Sequence, residues 1–275
     1  LRIRDIIEQH KKIEWLEAVN IIADALFMSK EGILVNLDQD VDEKTCLHIN
    51  DLLSKRERGM PLAYITKSKE FFSEKFYVDA GVLIPRPETE LLVEEALKLI
   101  TENKRINNLL DIGTGAGTIG LILAKKTQKH VVCTDISFDA IRIAMRNAEN
   151  LGVRGLIHFV CADLFSGICG SKFDMILANL PYVGSGEMDS LMADVKNYEP
   201  RLALDGGAGG IQIYRRLIEE VPHHLKDNGY VLCEVGGYVQ ANKISEMLRA
   251  LGMNTAVKKD LSGHDRVLIG SWTSS

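Results

Sequence analysis

The stretch Leu109-Leu110-Asp111-Ile112-Gly113-Thr114-Gly115-Ala116-Gly117 constrains this chain more than any other. A short apolar strand runs into a glycine-rich turn and on into a helical segment from Ile119 to Lys126. Glycines let a ligand approach the backbone, and a helix N-terminus offers N–H groups without intrahelical partners. The next strand signal, Val131–Ile136, carries Asp135, 20 residues after Gly115, where a carboxylate can accept both hydroxyls of a ribose. Together these residues describe a site for a nucleoside-containing ligand.

Strand and helix signals alternate from Asn107 onward. Strands are predicted at Leu109–Ile112, Val131–Ile136, Ile157–Cys161, Phe173–Ala178 and Tyr230–Val235, with helices near Ile119–Lys126, Phe138–Asn150, Gly210–Glu219 and Gln240–Leu251. This is the βαβ pattern of a parallel sheet covered on both faces. Thr255–Lys259 and Arg266–Trp272 have no helix between them, so they are expected to pair antiparallel at the sheet edge. The fold class is α/β, with a mostly parallel seven-stranded sheet.

Residues 1 to about 70 read differently. Trp15, Val19, Ile22 and Leu26 recur at helical spacing, which predicts a small bundle. Its last helix, near Leu52 to Arg58, carries Lys55, Arg56 and Arg58 and stops at Gly59-Met60-Pro61. From Phe71 to Leu83, aromatics and valines alternate with polar residues, predicting a hairpin or extended linker. It leads into Ile84-Pro85-Arg86-Pro87-Glu88-Thr89-Glu90, where two prolines hold the chain extended and Thr89 is placed to cap the helix Leu91–Ile100. A length of 275 residues agrees with two domains at roughly 150 residues each.

The glycine loop admits two registers. Gly115-x-Gly117-x-x-Gly120 matches a dinucleotide fingerprint, and Gly113-x-Gly115-x-Gly117 after Asp111 resembles the first motif of class I S-adenosylmethionine (SAM) methyltransferases. The discriminating motif is Asn179-Leu180-Pro181-Tyr182, at the end of the fourth strand and so at the ligand-binding edge of an open α/β sheet. An amide nitrogen is a poor nucleophile because its lone pair is delocalised, so alkylating it requires holding the NH2 group and aiming that lone pair. The Asn179 side-chain oxygen and the Leu180 carbonyl, kept out of a helix by Pro181, supply two acceptors, and the Tyr182 ring packs the substrate plane. Taken alone, such a tetrapeptide is more often a strand-ending turn; its position downstream of the loop and Asp135 favours the functional reading.

These residues resemble the HemK/PrmC family, the peptide chain release factor N5-glutamine methyltransferases. The resemblance runs through Pro61-Leu62-Ala63-Tyr64-Ile65, Ile84 to Glu90, Asp111 to Gly117, Ala162-Asp163-Leu164-Phe165, Asn179 to Tyr182, Tyr198-Glu199-Pro200, Ala203-Leu204-Asp205-Gly206-Gly207 and Asp265-Arg266-Val267. It implies a helical substrate-docking domain over 1–70, a linker over 71–90 and a SAM-dependent methyltransferase domain over 91–275. It further implies that Gly113, Thr114, Gly115, Ala116 and Gly117 wrap the methionine part of SAM, that Asp135 holds the ribose, and that Asp163 and Leu164 border the adenine. Asn179, Leu180, Pro181 and Tyr182 are then the catalytic loop that binds glutamine, with Asn179 also facing the cofactor. The implied product is S-adenosylhomocysteine, and the implied partners are bacterial class 1 release factors carrying a Gly-Gly-Gln motif. The family's motif is most often Asn-Pro-Pro-Tyr; here Leu180 replaces the first proline, which keeps a carbonyl but loosens the loop.

Three rivals are weighed against this reading. A methyltransferase of exocyclic amines in nucleic acid uses the same two-acceptor logic but needs a basic cleft, whereas 33 Lys and Arg against 38 Asp and Glu leave a net charge of -5. A nicotinamide-dependent oxidoreductase leaves Asn179 to Tyr182 unexplained, and a catalytically idle SAM-binding module leaves Asn179 and Tyr182 without a purpose. Composition, 46% hydrophobic and 26% charged, is that of a folded soluble protein. No apolar run approaches the ~18–20 residues of a membrane span. The start, Leu1-Arg2-Ile3-Arg4-Asp5, reads as an amphipathic helix rather than a signal peptide. The five cysteines, Cys46, Cys133, Cys161, Cys169 and Cys233, show no C-x-x-C spacing and are expected to be reduced and mostly buried. The histidines form no ligand pattern, so no metal is expected; a cytoplasmic monomer is.

Overall fold

The computed structural model describes residues 1–168 and 170–272. The chain divides into two compact units, Leu1–Ser68 with Met192–Tyr198, and Lys69–Leu191 with Glu199 onward.

The first unit contains α1 (Ile3–Gln9), α2 (Trp15–Ala25), α3 (Lys30–Val35), α4 (Glu43–Glu57) and α5 (Leu62–Ile65) around a core that includes Ile3, Ile22, Ile33, Ile49 and Leu53. The α2 stripe differs from the predicted one: Ala18, Val19, Ile21 and Ile22 are buried, whereas Trp15 at the first helical position is 45% exposed. The helix predicted near Leu52–Arg58 is the end of a longer α4, whose N-cap Asp42 accepts the Thr45 N–H at 3.0 Å. It stops where glycine was expected to stop it, with Gly59 at φ +91°. Lys55 pairs with Asp51, and Arg56 grips both oxygens of Glu17 at 2.7 and 2.9 Å, so part of the basic cluster is already compensated.

The second unit opens on a hairpin, β1 (Ser68–Phe71) and β2 (Glu74–Tyr77), joined by Phe72 and Ser73, both at positive φ. The hairpin thus starts before the predicted Phe71, because its first strand is the polar Ser-Lys-Glu and gives no apolar alternation. A 3-10 turn, Pro87–Thr89, leads into α6 (Glu90–Glu102). The strands β3 (Leu109–Ile112), β4 (Val131–Asp135), β5 (Ile157–Cys161), β6 (Phe173–Ala178), β7 (Leu225–Glu234), β8 (Asn254–Lys259) and β9 (Asp265–Ser271) form one sheet in the order β5-β4-β3-β6-β7-β9-β8. The pairings from β5 to β7 are parallel, and β9 runs antiparallel between β7 and β8. The predicted terminal pair therefore reaches the sheet through its second member.

Intervening helices are α7 (Thr118–Thr127), α8 (Phe138–Asn150), α9 (Ala193–Tyr198), α10 (Gln212–His224) and α11 (Tyr238–Ala250), of which α9 belongs to the first unit. Both sheet faces are covered, and the strands alternate between two cores. Leu109, Met175 and Leu177 join Leu92 and Ile122 on one face, while Leu110, Ile176 and Ala178 join Tyr214, Leu217 and Ile244 on the other. Chain order reverses on either side of β3, which puts the switch point at the C-terminal ends of β3 and β6.

Cys46, Cys133 and Cys233 are buried, in line with cysteines expected to be mostly buried, Cys161 at the end of edge strand β5 is exposed, and Cys169 lies outside the described residues. Among the described residues, no cluster of His, Cys, Asp and Glu could hold a metal ion, and no helix is long and apolar enough to cross a membrane.

Candidate active site

Ile112 and Ala178 are register partners on adjacent parallel strands, so the two motifs that leave those strands emerge side by side. Gly113 and Asn179 follow directly. A Cβ on Gly113 would lie 2.8 Å from Leu180 Cδ2 and 3.7 Å from the Asn179 carbonyl oxygen, so the contact itself demands glycine. Gly113, Gly115 and Gly117 all have positive φ, at +70°, +55° and +88°.

The loop is tied down by two carboxylates. Asp111, fully buried, accepts the Thr114 hydroxyl at 2.6 Å and the Gly120 N–H at 3.0 Å through one oxygen, which links strand end, loop and first helical turn. Burial pushes its carboxyl up to about 6, against the pull of those hydrogen bonds. Asp135, half-buried, accepts the Gly115 N–H with one oxygen and the Ser137 N–H with the other, both at 2.9 Å. Burial raises its pKa above the ordinary aspartate value as well. Each Asp135 oxygen keeps a lone pair for a further donor.

A cavity of about 250 Å³ opens over these elements. Gly113, Thr114, Gly115, Ala116, Asp135, Asp163, Leu164, Asn179, Leu180 and Pro181 all line it, which brings most of the expected site residues together. Gly117 does not; it begins α7 and packs so tightly that a Cβ there would meet Leu121 at 2.7 Å. Nor does Tyr182, whose ring lies over Gly236, 2.9 Å from where a Cβ would sit. Leu164, buried at the wall, holds φ at +50°, a strained conformation for a branched side chain that stores on the order of 1–3 kcal/mol. Asp163 is paired with Arg216 at 2.7 Å.

Three groups that had no part in the site as read from sequence hold the Asn179 loop. Thr89, buried, does not cap α6 with its side chain as expected; its hydroxyl instead accepts the Asn179 Nδ2–H at 3.1 Å. Thr89 also counteracts the burial-raised pKa of the Glu234 carboxyl, so Asn179, Thr89 and Glu234 adjoin, with the Asn179 NH2 donating to the hydroxyl. Asn179 Oδ1 is left as an acceptor. Glu234 is 1% exposed, and burial pushes its carboxyl up to about 7 despite Thr89, Arg266 and Arg86. The third group, Tyr214, is fully buried and contacts the Leu180 N–H.

The segment Ala203–Gly207 also gains a physical meaning. Val183 donates to the Leu204 carbonyl and Gly206 donates back to Val183, at 3.0 and 2.8 Å, zipping the segment against the loop after Pro181. A Cβ on Gly206 would collide with the Pro181 carbonyl. Likewise Glu199, almost wholly buried, binds the Arg86 guanidinium and accepts the Ile84 N–H at 3.0 Å, which joins two cavity walls.

Comparison with known proteins agrees with this geometry. A family model described as PrmC N-terminal domain matches residues 3–66, and one described as Methyltransferase small domain matches residues 86–197. The release factor glutamine methyltransferase of Clostridium acetobutylicum is 37% identical over 86% of this chain and 84% of its own length. That of Koribacter versatilis is 41% identical over 80% and 78%. Among solved structures, a ribosomal protein L11 methylase from Lactobacillus delbrueckii subsp. bulgaricus shares the fold, with a TM-score of 0.53 and 21% identity over 74% of this chain and 90% of that one. Two family models in tandem, relatives matched along most of their length, and a glycine loop set in register beside Asn179 lead to one conclusion: the chain belongs to the release factor glutamine methyltransferase family.

Proposed function

We infer that this enzyme transfers a methyl group from SAM to the side-chain amide nitrogen (N5) of the glutamine in the Gly-Gly-Gln motif of a bacterial class 1 release factor. The observation that carries this reading is the Asn179 side chain, whose NH2 is committed to Thr89 so that its oxygen is free to accept a substrate N–H beside the glycine loop.

The residues of the cavity fit the methyl donor. Gly113 to Ala116 offer a backbone wall without bulky side chains for its methionine part, Asp135 has spare lone pairs for ribose hydroxyls, and Asp163 with the apolar Leu164 suits a base. When bound, SAM supplies an electrophilic sulfonium methyl. The chain's own part is alignment. Asn179 Oδ1 and the Leu180 carbonyl each accept one N–H of the glutamine amide, whereas Tyr182, whose ring lies against Gly236 and outside the cavity, braces the loop instead of packing the amide plane. Pro181 keeps Leu180 extended, so the nitrogen lone pair is aimed along one line. Both acceptors strengthen as the nitrogen gains positive character, which favours the transition state over the ground state. The acidic proton of the alkylated amide then passes to water.

The helical unit is the docking surface for the release factor in this reading. Leu16, Phe27 and Val35 are 56%, 97% and 80% exposed on it, apolar area suited to a protein partner. The test is transfer of labelled methyl to an intact release factor and to one with the Gly-Gly-Gln glutamine replaced, with nucleic acid in parallel. Label on the intact factor alone is expected. Label on nucleic acid would instead support action on exocyclic amines.

A further inference from the structure

One phenol under the Asn179 loop has no part in the mechanism above. Tyr214 lies on α10 with no solvent exposure, and its hydroxyl is used twice: it accepts the Leu180 N–H at 3.1 Å and donates to the Glu234 carbonyl at 2.6 Å. Leu180 is itself buried, so its N–H has no access to water to replace that partner.

The peptide unit involved is the one that matters for substrate geometry. Its N–H belongs to Leu180 and its carbonyl to Asn179, and the bond is trans, so the two point in opposite directions. Holding the N–H on Tyr214 therefore fixes the plane from which both the Asn179 backbone and Leu180 continue. On the far side, Pro181 restricts the conformation of Leu180. Tyr214 fixes the peptide plane before Leu180 and Pro181 narrows the torsion after it, which together restrict the direction of the Leu180 carbonyl. A proline at 180 would have no N–H to place and would set its own φ near −65° through its ring. Leucine has neither property, and the hydrogen bond supplies a different constraint, on the peptide plane from which Leu180 departs.

We propose that Tyr214 is a positioning residue for methyl transfer: through the Leu180 N–H it aims the Leu180 carbonyl at the substrate amide. This rests on the glutamine reading of the site. Because Tyr214 anchors on the main chain of Glu234, the brace ties the Asn179 loop to the end of the interior strand β7.

The experiment is a double-mutant cycle of Tyr214→Phe and Leu180→Pro, with kcat, KM and SAM affinity measured for all four proteins alongside thermal melting. In the Leu180 background, Tyr214→Phe is expected to lower kcat about tenfold, the scale of one hydrogen bond, with SAM affinity unchanged. With proline at 180 there is no N–H to hold, so the same substitution is expected to change kcat less than about twofold there, whatever turnover the Leu180→Pro protein itself retains. Losses of equal fold in both backgrounds, or no loss in the Leu180 background, would overturn the proposal. If Tyr214→Phe does not fold, or Leu180→Pro leaves too little turnover to measure, hydrogen exchange at the leucine amides of the unaltered enzyme decides: a protected Leu180 amide supports the brace, and rapid exchange overturns it. An unaltered enzyme that methylates no release factor would point instead to failure of the glutamine reading.

Discussion

Asn179 and Thr89, 90 residues apart, are joined by a hydrogen bond of 3.1 Å from amide to buried hydroxyl, and this contact sets which end of the Asn179 side chain is left for a substrate. Asn179→Ala removes that acceptor altogether. Turnover should fall by at least about 100-fold while SAM affinity stays within a few-fold, because a preorganised acceptor acts mainly in the transition state. Thr89→Val removes only the orienting partner and should lower kcat about tenfold, whereas Thr89→Ser should keep most of it. Near-normal turnover by Asn179→Ala would reject the role given to it.

Asp135→Ala tests the cofactor side. It deletes the partner of the Gly115 and Ser137 N–H groups together with the acceptor proposed for the ribose. Titration calorimetry should show SAM binding weakened by about tenfold or more, as expected for losing a charged hydrogen-bond acceptor. Unchanged affinity would show that the ribose lies elsewhere.

Glu234 makes a prediction about pH. Burial raises its carboxyl from 4.5 to about 7, so the folded state binds its proton more tightly than the unfolded chain does. The stability this group contributes is therefore complete below about pH 4.5 and is lost as the pH rises through 7. Glu234→Gln carries no such proton. Its stability relative to the unaltered enzyme should rise across that window by on the order of 3 kcal/mol, measured by denaturant unfolding at several pH values. A pH-independent difference would contradict the buried, raised carboxyl.

Gly206→Ala probes the packing behind the substrate loop. The added methyl would collide with the Pro181 carbonyl, so the loop must move. Methyl transfer should drop at least tenfold, since alignment is sensitive to shifts of an ångström, with SAM affinity little changed. A parallel loss of SAM binding would mean that the displacement spreads into the cofactor wall.

Much of the fold was legible because its signals are local. The glycine loop, the alternating strands and helices, and the two terminal strands all declare themselves within short windows, and Asp111, Asp135 and Asn179 stand at strand ends where ligands bind. The misreadings were local too. Trp15 fits a helical stripe but begins its helix at the surface, and the first hairpin strand is too polar to show alternation. What stayed hidden is tertiary. Thr89 looked like a helix cap, and Tyr214 and Glu234 fell unmarked within a predicted helix and a predicted strand; their common purpose exists only once the chain brings them to Asn179 and Leu180. The replacement of proline by Leu180 looked like a loss of rigidity because the compensating hydroxyl is 34 residues away.

The central claim is that the Asn179 loop presents a glutamine amide to the methyl donor. It is tested most directly by incubating the enzyme with SAM and a bacterial release factor and locating the new methyl group by fragmentation mass spectrometry. The account predicts a single methyl on the side-chain amide nitrogen of the Gly-Gly-Gln glutamine, absent when Asn179→Ala replaces the unaltered enzyme. A methyl on any other residue, or the same product from Asn179→Ala at an undiminished rate, would contradict it.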